Sequence, residues 1–295
     1  MKITYRLSLA LTLVTLVLVF AGGLVTSTES GLAVPDWPLS YGTMFPPMVG
    51  GIRYEHSHRL IAGLVLILTL ILTAWIYAKD RRPALQRTIA VMLGAVLVQA
   101  LLGGITVLYK LPTTVSVLHA CLGQIFFALS VLLLRMAGPR WESRQFSSVI
   151  FAPAMRWATA LLTVGLLIQL GLGAWARHTG GDHVMIHAGW GLTLFLWITI
   201  VSFISAEKYR SDAMARWHGL GLWAVSGIQI LLGFAAFYHT IMKKSDGIGG
   251  WGEIGTATLH QTTGALLLAM SLVLAVHMNR RRPTISAEED IAAAQ

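Results

Sequence analysis

Long runs of apolar residues, each near 20 residues in length, recur along the whole chain and alternate with short polar segments. A helix of about 20 residues crosses the hydrocarbon core of a bilayer, which is about 30 Å thick, at about 1.5 Å per residue. The pattern therefore predicts an all-α integral membrane protein with eight transmembrane helices. We place them at residues 5–24, 56–78, 88–109, 115–136, 157–176, 184–204, 218–238 and 256–278.

The first apolar run has a second interpretation as a cleaved signal peptide, because Lys2 and Arg6 precede it. Its apolar core continues to Val25 without an Ala-x-Ala-like cleavage site. We therefore interpret it as a retained helix. The composition agrees with a membrane protein, since 55% of the residues are hydrophobic and only 12% are charged, which is unlike a soluble domain.

The net charge of +9 would suit a nucleic-acid partner if the basic residues were clustered, but they follow the helix ends. Most fall on one side of the eight-helix arrangement, which the positive-inside rule makes cytoplasmic. Both termini are then cytoplasmic, and the long loops 25–55 and 239–255 face outward. We expect a multi-pass protein of the cell inner (plasma) membrane, with the lipid bilayer as its surroundings and no nucleic-acid partner. The cytoplasmic side carries Lys2, Arg6, Lys79, Arg81, Arg82, Arg87, Arg140, Arg144, Arg156, Lys208, Arg210, Arg216 and Arg280–Arg282, and the outer side carries Arg53, Arg59, Lys110, Arg177, Lys243 and Lys244.

Three pairs of neighbouring helices share a weak sequence repeat. A Gln-x-x-x-Gly motif near the end of one helix is followed, after an outward loop, by a histidine with a glycine four residues further on. The first helix pair is looser, with Gly22-Gly23 followed by His58 and Gly63. Such repeats predict two pseudo-repeated four-helix bundles, residues 1–137 and 157–279, with a cytoplasmic linker at 138–156 and a cytoplasmic tail at 280–295. The three complete motifs are Gln99–Gly103 with His119 and Gly123, Gln169–Gly173 with His187 and Gly191, and Gln229–Gly233 with His260 and Gly264.

The glycines of the repeat are explained mostly by close helix packing, which small residues permit in membranes. The histidines need another explanation, because a histidine inside a membrane is costly and usually faces a partner. A single such residue would favour a structural hydrogen bond. Four at matching depth, one near the outer end of every even-numbered helix, favour ligation of a metal. They are His58, His119, His187 and His260.

Two imidazoles on facing helices can ligate a haem iron from both sides, while the apolar porphyrin fills the space between the helices. The sequence predicts one such pair in each half, His58 with His119 and His187 with His260. Zinc or copper is a poorer interpretation, because no cysteine and no acidic ligand pair lie on neighbouring helix faces. His183, four residues before His187 on the same helix face, competes with it, and the repeat spacing favours His187.

Glu55 precedes His58 by three residues, so its carboxylate lies on the same helix face. It could pair with Arg59 at i+4 or remain a solvated charge in the headgroup region. It could instead lie beside the porphyrin edge, where it would take a proton or stabilise positive charge. Arg59 has two interpretations as well, the pair with Glu55 or a bidentate bond to a haem propionate. His56 is about 200° round the helix from His58 and cannot share its face.

The outer stretch from Gly22 to Gly42, GGLVTSTESGLAVPDWPLSYG, is followed by Glu55-His-Ser-His-Arg59 and later by Leu118-His-Ala-Cys-Leu-Gly123. These motifs resemble those of the haem A synthase family, and the similarity extends over most of the chain. The resemblance implies an oxidoreductase that converts the C8 methyl of haem O to the formyl of haem A, through a hydroxymethyl intermediate and with oxygen from water.

The same resemblance implies residue roles and partners. Glu55 matches the catalytic glutamate, and His58 and His119 match the histidines of the substrate haem site in the N-terminal half. His187 and His260 match the ligands of a resident haem b in the C-terminal half. The resemblance also leaves open delivery of haem O by haem O synthase and assembly into a homo-oligomer.

The chain departs from the family at its outer loop. Many relatives carry paired cysteines that flank Pro-Asp-Trp-Pro, where this chain has Val34 and Ser40. Whatever a disulfide does in those relatives must here be done by other groups or not at all.

Two other functions use the same features. A diheme membrane electron carrier of the cytochrome b type needs the four histidines, but neither Glu55 nor the Pro-Asp-Trp-Pro loop. A transporter is suggested only by the internal repeat, and the sequence shows no broken helix with a charged lining.

Overall fold

The structure is a computed structural model that describes residues 2–138, 141, 150–242 and 250–280. Within these ranges it contains eight helices that are long and apolar enough to span a membrane, which confirms the predicted number of helices. The helices are α1 (Lys2–Ser27), α2 (Ile52–Trp75, extended by a π-helical turn Ile76–Asp80), α3 (Pro83–Leu108), α4 (Thr113–Ala137), α5 (Pro153–His178), α6 (Val184–Glu207), α7 (Ala213–Phe237, extended by a π-helical turn Tyr238–Met242) and α8 (Trp251–Asn279).

The helices are longer than the apolar runs from which they were predicted. For example, α5 begins at Pro153 and α8 at Trp251, each several residues before the predicted start. Helices continue past the hydrocarbon core because their backbone bonds persist in the interfacial region, where aromatic and charged side chains are stable. Proline suits the first turn of a helix, since its missing N–H would have no partner there. The predicted outer loop 239–255 is consequently partly helical.

Several predicted features lie outside the described residues. These are residues 139–140 and 142–149 of the linker, residues 281–295 of the tail, and the basic residues Arg140, Arg144, Lys243, Lys244, Arg281 and Arg282.

Helix packing places α8 at the centre of the molecule. It contacts α5 and α7, and it also contacts α1 and α4 from the other half of the chain. One apolar core joins α4, α5, α6 and α8 around Phe127, Leu162, Leu194 and Leu268, and a second joins α1 to α4 around Leu11, Leu72 and Met92.

The even-numbered helices all run in the same direction, because each follows an antiparallel odd-numbered neighbour. Their first turns therefore share one end of the molecule. His58, His119, His187 and His260 lie in these first turns or shortly after them, and the loop between Ser27 and Ile52 covers the same end.

Candidate functional site

Each predicted haem-ligand histidine packs against a glycine of the preceding helix. If a Cβ atom were added to the glycine, it would lie too close to the imidazole Cε1 atom for ordinary van der Waals contact. The glycines of the repeat therefore leave the space that the imidazole rings occupy, which is a more specific role than helix packing in general. We call each of these glycines a glycine seat. The pairs and their Cβ to Cε1 distances are Gly22–His58 (3.1 Å), Gly103–His119 (3.2 Å), Gly173–His187 (2.7 Å) and Gly233–His260 (2.9 Å).

The glutamine of each complete motif contacts the histidine of the next helix. Gln99 Nε2 donates a hydrogen bond to the main-chain oxygen of His119 at 2.9 Å and lies 3.5 Å from its Nε2. Gln169 Nε2 makes the same bond to His187 at 3.0 Å and lies 3.4 Å from its Nε2. The sequence repeat contained these glutamines, but it gave no indication of their contacts.

The third glutamine, Gln229, also lies beside the histidine of the next helix, but its contacts differ from those of the other two. Gln229 Nε2 lies 3.4 Å from His260 Nε2, and the main-chain oxygen of Gln229 lies 3.2 Å from His260 Nδ1. The second glycine of each motif makes room for the glutamine amide, since an added Cβ would lie 3.1 Å (Gly123), 2.8 Å (Gly191) or 3.3 Å (Gly264) from its Nε2.

The rings of His187 and His260 are neighbours in a nearly perpendicular arrangement, with their centroids 6.1 Å apart and their planes at 81°. Two imidazoles that bind one metal ion from opposite sides have centroids about 6.3 Å apart, for metal–nitrogen bonds of about 2.0 Å. Because His260 Nδ1 is beside a carbonyl, Nε2 is its nitrogen left for a metal. The two rings therefore fit the ligands of one haem iron.

The first-half pair has related features. The imidazoles of His58 and His119 lie close enough that a charge on one would repel a charge on the other. The Nδ1 atoms of both rings are buried without a hydrogen-bond partner among the described residues. The main-chain carbonyls of Leu18 and Gln99 lie beside the two rings, the position that Gln229 occupies beside His260. These residues fit a second haem.

Two other histidines have different positions. His183 precedes the first residue of α6 and has a left-handed backbone, with φ of 62°. The ring that lies beside that of His260 belongs to His187. His277 lies at the opposite end of α8, where its Nε2 is 3.1 Å from a carboxylate oxygen of Asp212.

Arg59 holds the loop between Ser27 and Ile52 against α2, and we call this loop the outer loop after its predicted side of the membrane. Its Nη1 donates to the main-chain oxygens of Asp36 at 2.7 Å and Leu39 at 2.6 Å. Its Nη2 donates to the main-chain oxygen of Val34 at 3.3 Å and to Glu55 at 2.5 Å. The four N–H groups of the two terminal nitrogens are thus matched by four acceptors, which leaves Nε for any further acceptor.

Glu55 is buried, with 3% of its surface exposed, so the solvated-charge interpretation is wrong. One carboxylate oxygen forms the i,i+4 ion pair with Arg59 at 2.5 Å, and the other accepts the N–H of Val34 at 2.8 Å. Glu55 is therefore fixed from both sides at the base of the outer loop.

His56 provides a further contact to the loop that sequence analysis missed. Its Nδ1 lies 2.8 Å from the hydroxyl of Ser40. The signal was in the sequence, since a residue on the face away from His58 is free to meet a loop that folds over the helix end. The helical periodicity excludes His56 as a second ligand beside His58, but it does not identify this contact with the loop.

The Pro-Asp-Trp-Pro segment has internal contacts and also reaches α3. Asp36 accepts the N–H groups of Gly42 at 2.8 Å and Tyr41 at 2.7 Å, and these bonds hold the pKa of its carboxyl below its usual value. The indole of Trp37 packs against Gly104, where an added Cβ would lie 3.0 Å from the ring. Gly104 follows the glycine that seats His119, so the loop covers the first-half pair.

Comparisons of the sequence with known proteins point to one family. The family model described as cytochrome oxidase assembly protein matches residues 52–131, which include α2, Glu55 and both first-half histidines. A "Heme A synthase" from Bacillus pumilus is 30% identical over 264 residues, which cover 79% of this chain and 83% of that protein. A "Heme A synthase" from Bacillus licheniformis is 27% identical over 266 residues, which cover 81% of this chain and 86% of that protein.

The similarity to these two relatives thus covers 79% and 81% of this chain. It confirms the resemblance found in the sequence: the chain is a member of the haem A synthase family.

Proposed function

We propose that this protein is a haem A synthase that oxidises the C8 methyl of haem O to a formyl group through a hydroxymethyl intermediate. The observation that carries the proposal is the neighbouring pair His187 and His260, with ring centroids 6.1 Å apart, in a chain of this family. The relatives are named for this product. The histidine pair supports the haem chemistry that the name requires.

The proposed reaction balances with water as the source of oxygen. In the first step the methyl carbon gains a hydroxyl from water and loses one hydrogen, which releases two protons and two electrons. In the second step the hydroxymethyl group loses two hydrogens to become the formyl group, which again releases two protons and two electrons. A complete turnover therefore releases four electrons, and it needs a proton acceptor near the methyl carbon and an external electron acceptor that these electrons would reach through the resident haem.

The two histidine pairs divide these tasks. We assign His58 and His119 to the substrate haem O, and His187 and His260 to a resident haem b. A bound haem b supplies one-electron transfer. The chain's own contribution is the position of the four imidazoles, which the glycine seats fix against the odd-numbered helices.

Glu55 is our candidate for the proton acceptor and for stabilisation of positive charge on the methyl carbon. Its burial and its place one turn from His58 support this role. The ion pair with Arg59 fixes the orientation of the carboxylate. Arg59 is our candidate for a haem propionate partner, and because its terminal nitrogens already bind the loop and Glu55, that contact would use Nε.

The wider arrangement completes the proposal. We propose substrate and cofactor halves at residues 1–137 and 157–279, cytoplasmic termini, and a place in the plasma membrane. The haem sites would then open on the outer face, where water reaches them without crossing the hydrocarbon core. Delivery of haem O by haem O synthase and assembly into a homo-oligomer are parts of the same proposal.

The test is to express the chain in cells that make haem O but lack a haem A synthase, extract the haems and identify them by mass. Haem A is expected with the parent chain and not with His58→Ala. Haem A absent from cells that contain folded, haem-loaded parent protein would refute the proposal.

A diheme electron carrier is the second candidate. The observation that favours it is the full pairing of Glu55 with Arg59 and Val34, which a structural role would explain. The same extraction distinguishes the two, since a carrier would contain haem B in both halves and form no haem A.

A further inference from the structure

The four seated histidines are not equivalent, because only three have a glutamine beside them. The main-chain carbonyl next to the ring belongs to Gln99, Gln169 and Gln229 at three sites and to Leu18 at the fourth. Each of these residues lies four positions before the glycine seat. Beside His58 the side chain at this position is therefore aliphatic and forms no hydrogen bond.

The second glycine of the motif is missing at the same site. Gly123, Gly191 and Gly264 each lie four residues after their histidine and accommodate the glutamine amide. Four residues after His58 the chain has Ala62. The first helix pair thus retains the seat at Gly22 and lacks both parts of the glutamine contact.

The glutamine contact has a physical consequence for the imidazole. An amide that bonds the histidine's own main-chain oxygen, as at His119 and His187, limits how far the helix turn that carries the ring can move, and this bond leaves Nε2 to the iron. A ring against an aliphatic side chain has no directional contact of this kind. A preorganised ligand holds its metal longer, because less freedom is regained on release.

The three glutamines are distributed unequally between the halves. In the second pair, Gln169 bonds the main-chain oxygen of His187, and the main-chain oxygen of Gln229 lies 3.2 Å from His260 Nδ1. In the first pair, Gln99 bonds the main-chain oxygen of His119, whereas His58 has no glutamine beside it and its Nδ1 has no hydrogen-bond partner among the described residues.

We infer that His58 is the exchangeable haem ligand, and that Gln99, Gln169 and Gln229 are positioning residues that hold the other three imidazoles. The inference rests on the proposed function, in which the first half exchanges haem at every turnover and the second half retains its haem. A site that must release its product needs one ligand that dissociates readily from the iron. The site of the resident haem contains no ligand of this kind.

The test measures haem release from the purified full chain, loaded with ferric haem O in detergent and mixed with excess apomyoglobin as the haem acceptor. Two phases are expected, a fast one from the first half and a slow one from the second. Leu18→Gln with Ala62→Gly installs the fourth contact and should slow the fast phase about threefold to tenfold, the factor that corresponds to one net hydrogen bond. Ala62→Gly alone is the matched control and should leave both rates unchanged.

The opposite change uses Gln99→Met and Gln169→Met, which keep the side-chain length and remove the amide. Gln99→Met should accelerate the fast phase by a similar factor, so the inference stays testable if the double variant fails to fold. Gln169→Met should accelerate the slow phase and shift the ferric low-spin electron paramagnetic resonance signal of the second-half haem, because the orientation of the His187 ring is no longer fixed.

The outcomes separate this inference from the proposed function. If His58→Ala removes the fast phase but the variants at Leu18 and Gln99 release haem within twofold of the parent rate, the exchangeable-ligand inference is wrong and the substrate site stands. If His58→Ala leaves the fast phase intact, the assignment of substrate haem to the first half is itself wrong.

Discussion

Replacing Gly173 by alanine tests the glycine seat directly. The new Cβ would lie 2.7 Å from His187 Cε1 and 3.1 Å from its Nδ1, whereas carbon atoms in favourable contact are about 3.5–4.0 Å apart. The ring must therefore move by about 1 Å, and overpacking of this kind costs about 1–3 kcal/mol. Metal–ligand distances tolerate deviations of only about 0.2 Å, so ligation by His187 should fail even if the helices remain packed.

Gly171→Ala is the matched control on the same helix, because an added Cβ at Gly171 meets nothing within 4 Å. We expect Gly173→Ala to purify with roughly half of the parent haem complement and without the low-spin spectrum of a bis-histidine haem in the second half. Gly171→Ala should keep both. The measurement is the visible spectrum together with haem extraction, and normal low-spin haem B in Gly173→Ala would refute the seat and its assigned ligand.

Three further predictions concern the site residues. His187→Ala and His260→Ala should each deplete haem B while thermal unfolding changes little, and full haem B in both variants would contradict the cofactor assignment. Glu55→Gln should bind haem O and make little haem A, because the amide keeps the size and loses the charge; haem A at near the parent rate would make Glu55 structural. Arg59→Gln should lose substrate haem more readily as salt rises if Arg59 binds a propionate, and unchanged retention would leave only its contacts to the loop and Glu55.

The Glu55 prediction needs a control, because the substitution also alters the bond to Val34. His56→Phe removes the contact to Ser40 and loosens the loop without touching the carboxylate. If His56→Phe lowers haem A formation as much as Glu55→Gln does, the effect belongs to the loop. A loss confined to Glu55→Gln belongs to the charge.

The helices and the four histidines could be predicted because both depend on local pattern. An apolar run of the right length specifies a span regardless of its neighbours, and the repeat placed His119, His187 and His260 at equivalent depths before any contact was known. The glycines of the repeat were also recognised in the sequence, but their contacts with the histidine rings were not. The two residues of a seat, such as Gly103 and His119, lie on different helices, and sequence spacing does not fix how two helices rotate against each other.

The outer loop was the least predictable part, because its contacts depend on how an irregular segment folds over α2. The sequence suggests two partners for Arg59, the Glu55 carboxylate or a haem propionate, and the structure adds three main-chain carbonyls. Every residue has a main-chain carbonyl, so contacts to such acceptors cannot be recognised from the residue types in a sequence. The same holds for Glu55, whose second partner is the N–H of Val34.

These loop contacts explain how the chain manages without the cysteines that many relatives place at the positions of Val34 and Ser40. Val34 is tied to α2 through its own N–H and carbonyl, by Glu55 and Arg59, and Ser40 is tied to it through His56. Both positions are thus held to the helix instead of to each other, by bonds that do not depend on the redox state of the compartment. Since one of these bonds ends on Glu55, a movement of the loop would also move the carboxylate, and the loop and the proposed proton acceptor must be treated as one unit.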